Sequence, residues 1–169
     1  LHKEVKLHGG LFSVHTDAVL SDVKKTDLII IPAFGGDMAT SIKRNEEFIP
    51  WIVDQHYKGA EVASLCVGAF LLAATNLLNG KECSTHWRFA NEFREMFPEV
   101  TLVDDRIVTE QKGLYSSGGA TSYWNLLLYL VEKYAGRDMS IMAAKMFALE
   151  IDRKSQSPFI MFNGQKTHE

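Results

Sequence analysis

Apolar positions along the chain follow two different periods, and the two alternate. Residues 11–17 (LFSVHTD) alternate apolar and polar positions and predict a modest strand. Residues 27–34 (DLIIIPAF) are a continuous apolar run, the pattern of a strand buried on both faces. Gly35-Gly36 ends that run, and a helix follows with Phe48, Ile49, Ile52 and Val53 on one face, Lys58 in its last turn and Gly59 as its stop. Pro50 lacks an amide donor and belongs in the first turn, so the start falls within 45–49. Residues 61–66 (EVASLC) predict a second buried strand that runs into helical VGAFLLAATNLL without a loop. Beyond an Asn79-Gly80 turn and a short strand at 82–85, a helix carries Phe89, Phe93 and Phe97 at i, i+4 and i+8 and is closed by Pro98. Two or three short strands are expected before residue 118, separated by Asp104-Asp105 and Lys112-Gly113. A long amphipathic helix then places Tyr123, Leu127, Leu130, Val131 and Tyr134 on one stripe, capped by Gly136, and Asp138 caps a last helix to about residue 149.

Strands alternating with helices predict an α/β domain, a three-layer α/β/α sandwich with a mostly parallel sheet. The 169 residues suit one such domain, which we place at 1–150; residues 151–169 show no period and are expected to form a tail or linker leaving the core. With 46% apolar and 23% charged residues the chain is not a disordered one. A net charge of −3 provides no overall electrostatic footprint for nucleic acid or an anionic membrane. The uncharged stretch 62–80 approaches the length of a membrane span, but Thr75, Asn76, Asn79 and Gly80 make its second half polar and Gly68 divides it, so no membrane association is expected. No apolar signal-peptide core opens the chain, and two cysteines cannot form a disulfide framework, so a reducing cytoplasm is the expected compartment.

The chemistry concentrates around Cys66, which ends a buried strand and begins a helix. A nucleophile at such an elbow stands at the carboxyl end of the sheet, where α/β proteins bind ligands, and the helix start together with the Val67 amide favours its thiolate. Gly35 and Gly36 end the neighbouring buried strand, and their amides would complete an anion pocket. The alternative is an ordinary small buried cysteine. His86 opens the following helix and either approaches the same end of the sheet or serves its helix; Gly119, in SSGGATSYWN, either offers amides to a ligand or punctuates a strand-to-helix turn. Cys83 is expected to be inert, the Phe89, Phe93, Phe97 stripe to be core or subunit interface, and the remaining histidines show no metal-ligand spacing, so neither a metal nor another cofactor is expected.

Three segments together, IIIPAFGGD, ASLCVGAFLLAATNLLNGKECSTHW and SSGGATSYWNLLLYLVEKYAG, resemble the glutamine amidotransferase-like PfpI superfamily, and within it the branch that forms the N-terminal domain of AraC-type transcriptional regulators. The resemblance runs from about residue 17 to 162 and implies a flavodoxin-like fold, a homodimer, and a small-molecule ligand bound around Gly35, Gly36, Cys66, Val67, His86 and Gly119. It also implies DNA binding through helix-turn-helix motifs C-terminal to the segment SQSPFIMFNGQKTHE, and a further βα unit ahead of Leu1 that supplies an acidic residue near the cysteine. Hydrolases of the superfamily often follow the cysteine with a histidine, where this chain has Val67, so no hydrolase activity is expected. The resemblance leaves open a second function: isocyanide hydratases of the superfamily carry a similar cysteine turn and the Thr85-His86-Trp87 motif and work without that histidine.

Overall fold

The computed structural model describes residues 3–160. The chain opens with an antiparallel hairpin of β1 (Glu4–Leu7) and β2 (Phe12–His15), exposed throughout. The strand expected at 11–17 is therefore present, paired with a partner that the period of residues 4–7 does not announce. The following elements are β3 (Leu28–Ile31), α1 (Met38–Arg44), α2 (Phe48–Tyr57), β4 (Glu61–Ser64), α3 (Ala69–Ala74), β5 (Glu82–Cys83), α4 (Ala90–Met96), β6 (Thr101–Leu102), β7 (Val108–Gln111), β8 (Leu114–Ser117), α5 (Tyr123–Ala135) and α6 (Arg137–Met146). The central sheet has the order β3-β4-β8-β7 and is parallel except at β7–β8. That last pair is closed by Lys112 and Gly113 at φ 53° and 81°, the two left-handed residues that a tight hairpin matched to strand twist requires.

Alternation along the strands sorts the core into two faces. Ile29, Ile31, Val62 and Leu114 pack under Met38, Ile52, Phe70 and Phe93 of α1 to α4, while Ala63 and Tyr115 pack under Leu126 and Leu130 of α5. Phe93 of the aromatic stripe is fully buried edge-on to Phe70 at 5.0 Å, which makes the stripe core. The mixed α/β architecture with a mostly parallel sheet is the one expected from the order of elements.

Four local expectations are corrected. Residues 38–44, left without an element by the period, form α1 because Asp37 Oδ1 accepts from the Thr40 amide at 2.8 Å and caps it. The run at 27–34 is not buried on both faces: β3 has one sheet neighbour, and Ile30 is 43% exposed over a groove of about 470 Å³ shared with Leu127 and Val131. The buried positions of α5 are Leu126, Leu128 and Leu130 instead of one stripe, because the helix has two neighbours; Ser140 of α6 donates to the Leu128 carbonyl at 3.0 Å. Asp138 lies in the first turn of α6, behind a cap at Gly136. Among the described residues no helix is long and apolar enough to cross a membrane.

The segment after residue 151 does not leave the core at once. Ser155 bridges antiparallel to Arg106, the Ile107 amide donates to the Lys154 carbonyl at 3.2 Å, and the Gln156 amide donates to the Asp105 carbonyl at 2.8 Å. The side chain of Gln156 is buried. Residues 161–169, with most of the segment that carries the connector resemblance, lie outside the described residues.

Candidate functional site

Strands β3 and β4 end side by side, joined by the Leu65 amide donating to the Ile31 carbonyl at 2.9 Å. Cys66 follows at φ 53°, a left-handed conformation that costs a residue with a side chain of order 1–3 kcal/mol and persists only where its surroundings dictate it. Two hydrogen bonds hold it. Its amide donates to Ser117 Oγ at 3.1 Å at the end of β8, and its carbonyl accepts from Thr85 Oγ1 at 3.1 Å. Gly68 lets the turn press against β3, since a Cβ there would stand 2.6 Å from the Ile31 carbonyl oxygen and 2.8 Å from that of Pro32.

Cys66 is almost fully buried, and burial pushes its thiol pKa up, against the lowering effect of the Val67 amide. The expected net preference for thiolate is thus corrected: desolvation outweighs one amide at the start of a short helix. Among the described residues no histidine or carboxylate hydrogen-bonds this sulfur. Cys83 is fully buried and its pKa is pushed up to about 12. Mild alkylation at pH 8 followed by peptide mapping should therefore label Cys66 faster than Cys83, and more slowly than an exposed cysteine. Preferential labelling of Cys83 would contradict this ranking.

His86 caps a short helical turn, its Nδ1 accepting from the Arg88 amide at 3.1 Å. Burial, assisted by the Arg88 charge, lowers its pKa and favours the neutral ring. With Nδ1 accepting, the proton sits on Nε2. Gly119 lies against this ring, since a Cβ there would meet His86 Nε2 at 3.7 Å. His86 and Gly119 line one cavity of about 220 Å³ together with Trp87, Ser122, Arg153 and Phe159.

The six residues singled out from the sequence are therefore not equivalent in place. His86 and Gly119 share the cavity; Cys66 and Val67 lie buried at the neighbouring turn, linked to it through Thr85. Gly35 and Gly36 do not line that cavity; they lie in the loop after β3, where Gly36 takes φ 96° and the Gly35 carbonyl accepts from Ser41 Oγ at 3.0 Å. Sequence reasoning missed Arg153 and Gln156. Gln156 Oε1 accepts from the Gly119 amide at 2.7 Å, and its Nε2 donates to the carbonyls of Thr85 at 3.0 Å and Asp104 at 2.6 Å. An aperiodic segment has no pattern that marks such a residue. The one trace is Gly118, whose missing Cβ leaves the room that Gln156 occupies, 2.7 Å away.

Residues 2–133 match the DJ-1/PfpI family. The HTH-type transcriptional regulator GbdR of Pseudomonas aeruginosa is 28% identical over 154 residues, which are 91% of this chain and 41% of that protein. An isonitrile hydratase of Pseudomonas putida is 28% identical over 140 residues, 82% of this chain and 57% of that enzyme. A solved structure described as a transcriptional regulator from Vibrio parahaemolyticus superposes with a TM-score of 0.75 at 26% identity, covering 85% of this chain and 75% of that one.

Proposed function

Because this chain belongs to the DJ-1/PfpI family, we propose that it is the ligand-sensing and dimerisation domain of an AraC-type transcriptional regulator, without hydrolase activity. The observation that carries this reading is the wall of the cavity beside His86 and Gly119: it is built partly from residues 153–159, the segment that leads out of the domain. A ligand there would touch both the sheet's end and the exit of the chain. A protein whose relatives are regulators of more than twice its matched length has a use for that arrangement. Residues 1–150 are the sensing domain in this reading, and 151–169 the connector to a DNA-binding domain. The free edge of β3, with Ile30 uncovered, suits a further βα unit of the kind the family resemblance implies.

The site residues support sensing over turnover. Among the described residues no base is hydrogen-bonded to Cys66, and general-base assistance is worth ~10²–10⁴-fold in rate. Gly35, Gly36, Cys66, Val67, His86 and Gly119 are assigned to binding, with Cys66 a candidate nucleophile only in the second reading. That reading, an isocyanide hydratase, has the isonitrile hydratase likeness in its favour. There the Cys66 sulfur would add to the isocyanide carbon, and water would displace it to leave the N-substituted formamide and the free thiol.

The test is DNA binding by two chains. With a net charge of −3 the 169-residue chain should give no sequence-specific anisotropy change on promoter DNA, because specific binding needs several cationic phosphate contacts. A naturally longer chain should bind, and bind differently once ligand is present. Specific binding by the short chain overturns the reading; failure of the longer one, together with formamide release from an alkyl isocyanide, moves it to the hydratase. Paired DNA-binding modules call for a homodimer through helical surface. Of the aromatic residues considered for that surface, Tyr57 is exposed, while Trp51 donates its indole N–H to the Val23 carbonyl and Trp87 lines the cavity. Light scattering that finds only a 19.0 kDa species at micromolar concentration would refute the dimer.

A further inference from the structure

The cavity beside His86 is one-sided in its chemistry. Among the described residues its lining carries the Arg153 guanidinium, the His86 and Trp87 rings and the Thr121 and Ser122 hydroxyls, and no aspartate or glutamate. Arg153 brings a guanidinium into it. One terminal nitrogen reaches Ser122 Oγ at a long 3.4 Å, the group lies 5.4 Å over the Phe159 ring, and Nε is buried with no hydrogen-bond partner among the described residues. By contrast, Arg137 is paired with both Glu132 and Asp152, whereas Arg153 forms no ion pair among the described residues. That buried Nε is out of reach from the cavity; the terminal nitrogens, whose one hydrogen bond among the described residues is the long one to Ser122, are the charged donors left for a ligand. His86 adds an Nε2–H that makes no hydrogen bond among the described residues, and its Nδ1 is already committed to Arg88.

We propose that this cavity binds the carboxylate of a small organic acid, with Arg153 pairing to the carboxylate and His86 donating to it through Nε2. The inference rests on the sensor reading for its biological use and deepens it by naming the ligand class. Arginine matches a carboxylate because its fork offers two parallel N–H donors to two coplanar oxygens. A volume of about 220 Å³ is below the range of drug-sized pockets, so the acid has only a few heavy atoms beyond the carboxylate. Trp87 and Phe159 supply the flat apolar walls for that remainder. His86 donates through Nε2 whether or not the ring gains a second proton, so binding does not require acidification.

Regulation follows from where the residues come from. Arg153, Gln156 and Phe159 belong to the exit segment; His86 and Ser122 belong to the body of the domain. A carboxylate that ties Arg153 to His86 holds the exit segment in its docked position, and it shifts the equilibrium by its preference for that position over an undocked one.

The test titrates the 169-residue chain with sodium propionate, with propionamide as the neutral analogue of the same shape and inorganic phosphate as a different anion. Trp87 fluorescence and melting temperature report binding, and hydrogen exchange at Gln156 and Phe159 reports docking. Propionate is expected to saturate at millimolar concentration and to slow exchange of both amides, propionamide to have no effect, and phosphate to bind at least tenfold more weakly. Arg153→Gln should weaken propionate at least tenfold, with Arg153→Lys intermediate, and circular dichroism checks that both variants fold. Equal effects of propionate and propionamide, tighter binding of phosphate, or unchanged affinity in Arg153→Gln would overturn the assignment. These measurements involve no DNA, so they fail independently of the sensor reading, whose own failure is an operator affinity that no ligand changes in the longer chain.

Discussion

Replacing Gly68 with alanine is expected to lower the melting temperature by about 6–12 °C. The added methyl would sit 2.6 Å from the Ile31 carbonyl oxygen and 2.8 Å from that of Pro32, and both obstacles are backbone in the strand end beneath the cysteine turn. Side-chain rotation cannot relieve them, so either β3 or the turn has to move. Overpacking of this kind costs about 1–3 kcal/mol, and a backbone obstacle places it at the upper end; for a domain of this size each kcal/mol is worth ~2–4 °C. The moved turn should also open Cys66 to solvent, raising its alkylation rate. Gly35→Ala is the control: nothing lies within 4 Å of a Cβ there and no left-handed φ is needed, so its melting temperature should change by less than about 2 °C. Similar losses in the two variants would refute the close-approach argument.

Gln156→Leu should be as damaging and more informative. The substitution keeps the volume and removes the amide, so the Gly119 N–H and the buried Thr85 carbonyl lose their partner together. Each buried polar group left unpaired costs about 1–3 kcal/mol, so the two together give a loss of ~2–6 kcal/mol. Gln156→Glu should fare no better at pH 7, because its second oxygen would face the Thr85 and Asp104 carbonyls where the amide donates. Facing those carbonyls raises the folded-state pKa of that carboxyl above its unfolded value. Stability of this variant relative to wild type should therefore rise as the pH falls from 7 to 5, when the protonated acid can donate in the amide's place. Thermal melts at the two pH values, with limited proteolysis of residues 152–160, make the measurement. A Gln156→Leu protein that melts like wild type and keeps the segment protected would show that the docking does not depend on this side chain.

Much of the site was legible before the structure because its parts are local. The turn at Cys66 was visible as a buried strand running into a helix with no loop between, and its φ of 53° is the backbone consequence. The Lys112-Gly113 hairpin, the Pro50 placement and the glycine turn at Gly119 were legible for the same reason, since each is decided within a few residues. His86 and Gly119 were each placed where a strand hands over to a helix, but their contact was not legible, since nothing local brings the two turns together. Net thiol acidity was not, because it is a competition between one amide and the burial produced by the whole core.

By itself, then, the order of periods determined the α/β class, the parallel pairing of the two apolar strands and the place of the cysteine, because strand and helix periodicity report which face of an element is apolar. What covers that face is decided elsewhere in the chain. Ile30 belongs to as apolar a run as Ile29 and Ile31, yet it is exposed because β3 has one sheet neighbour and, among the described residues, none closes the groove beside α5. Arg153 and Gln156 lie in a segment without period, and they became part of the site only when Ser155 bridged to Arg106, forty-nine positions earlier in the chain. Contacts of that range depend on the closed fold, since the polar groups they satisfy, the Gly119 amide and the Thr85 carbonyl, lose their access to water only once the sheet and its helices have packed.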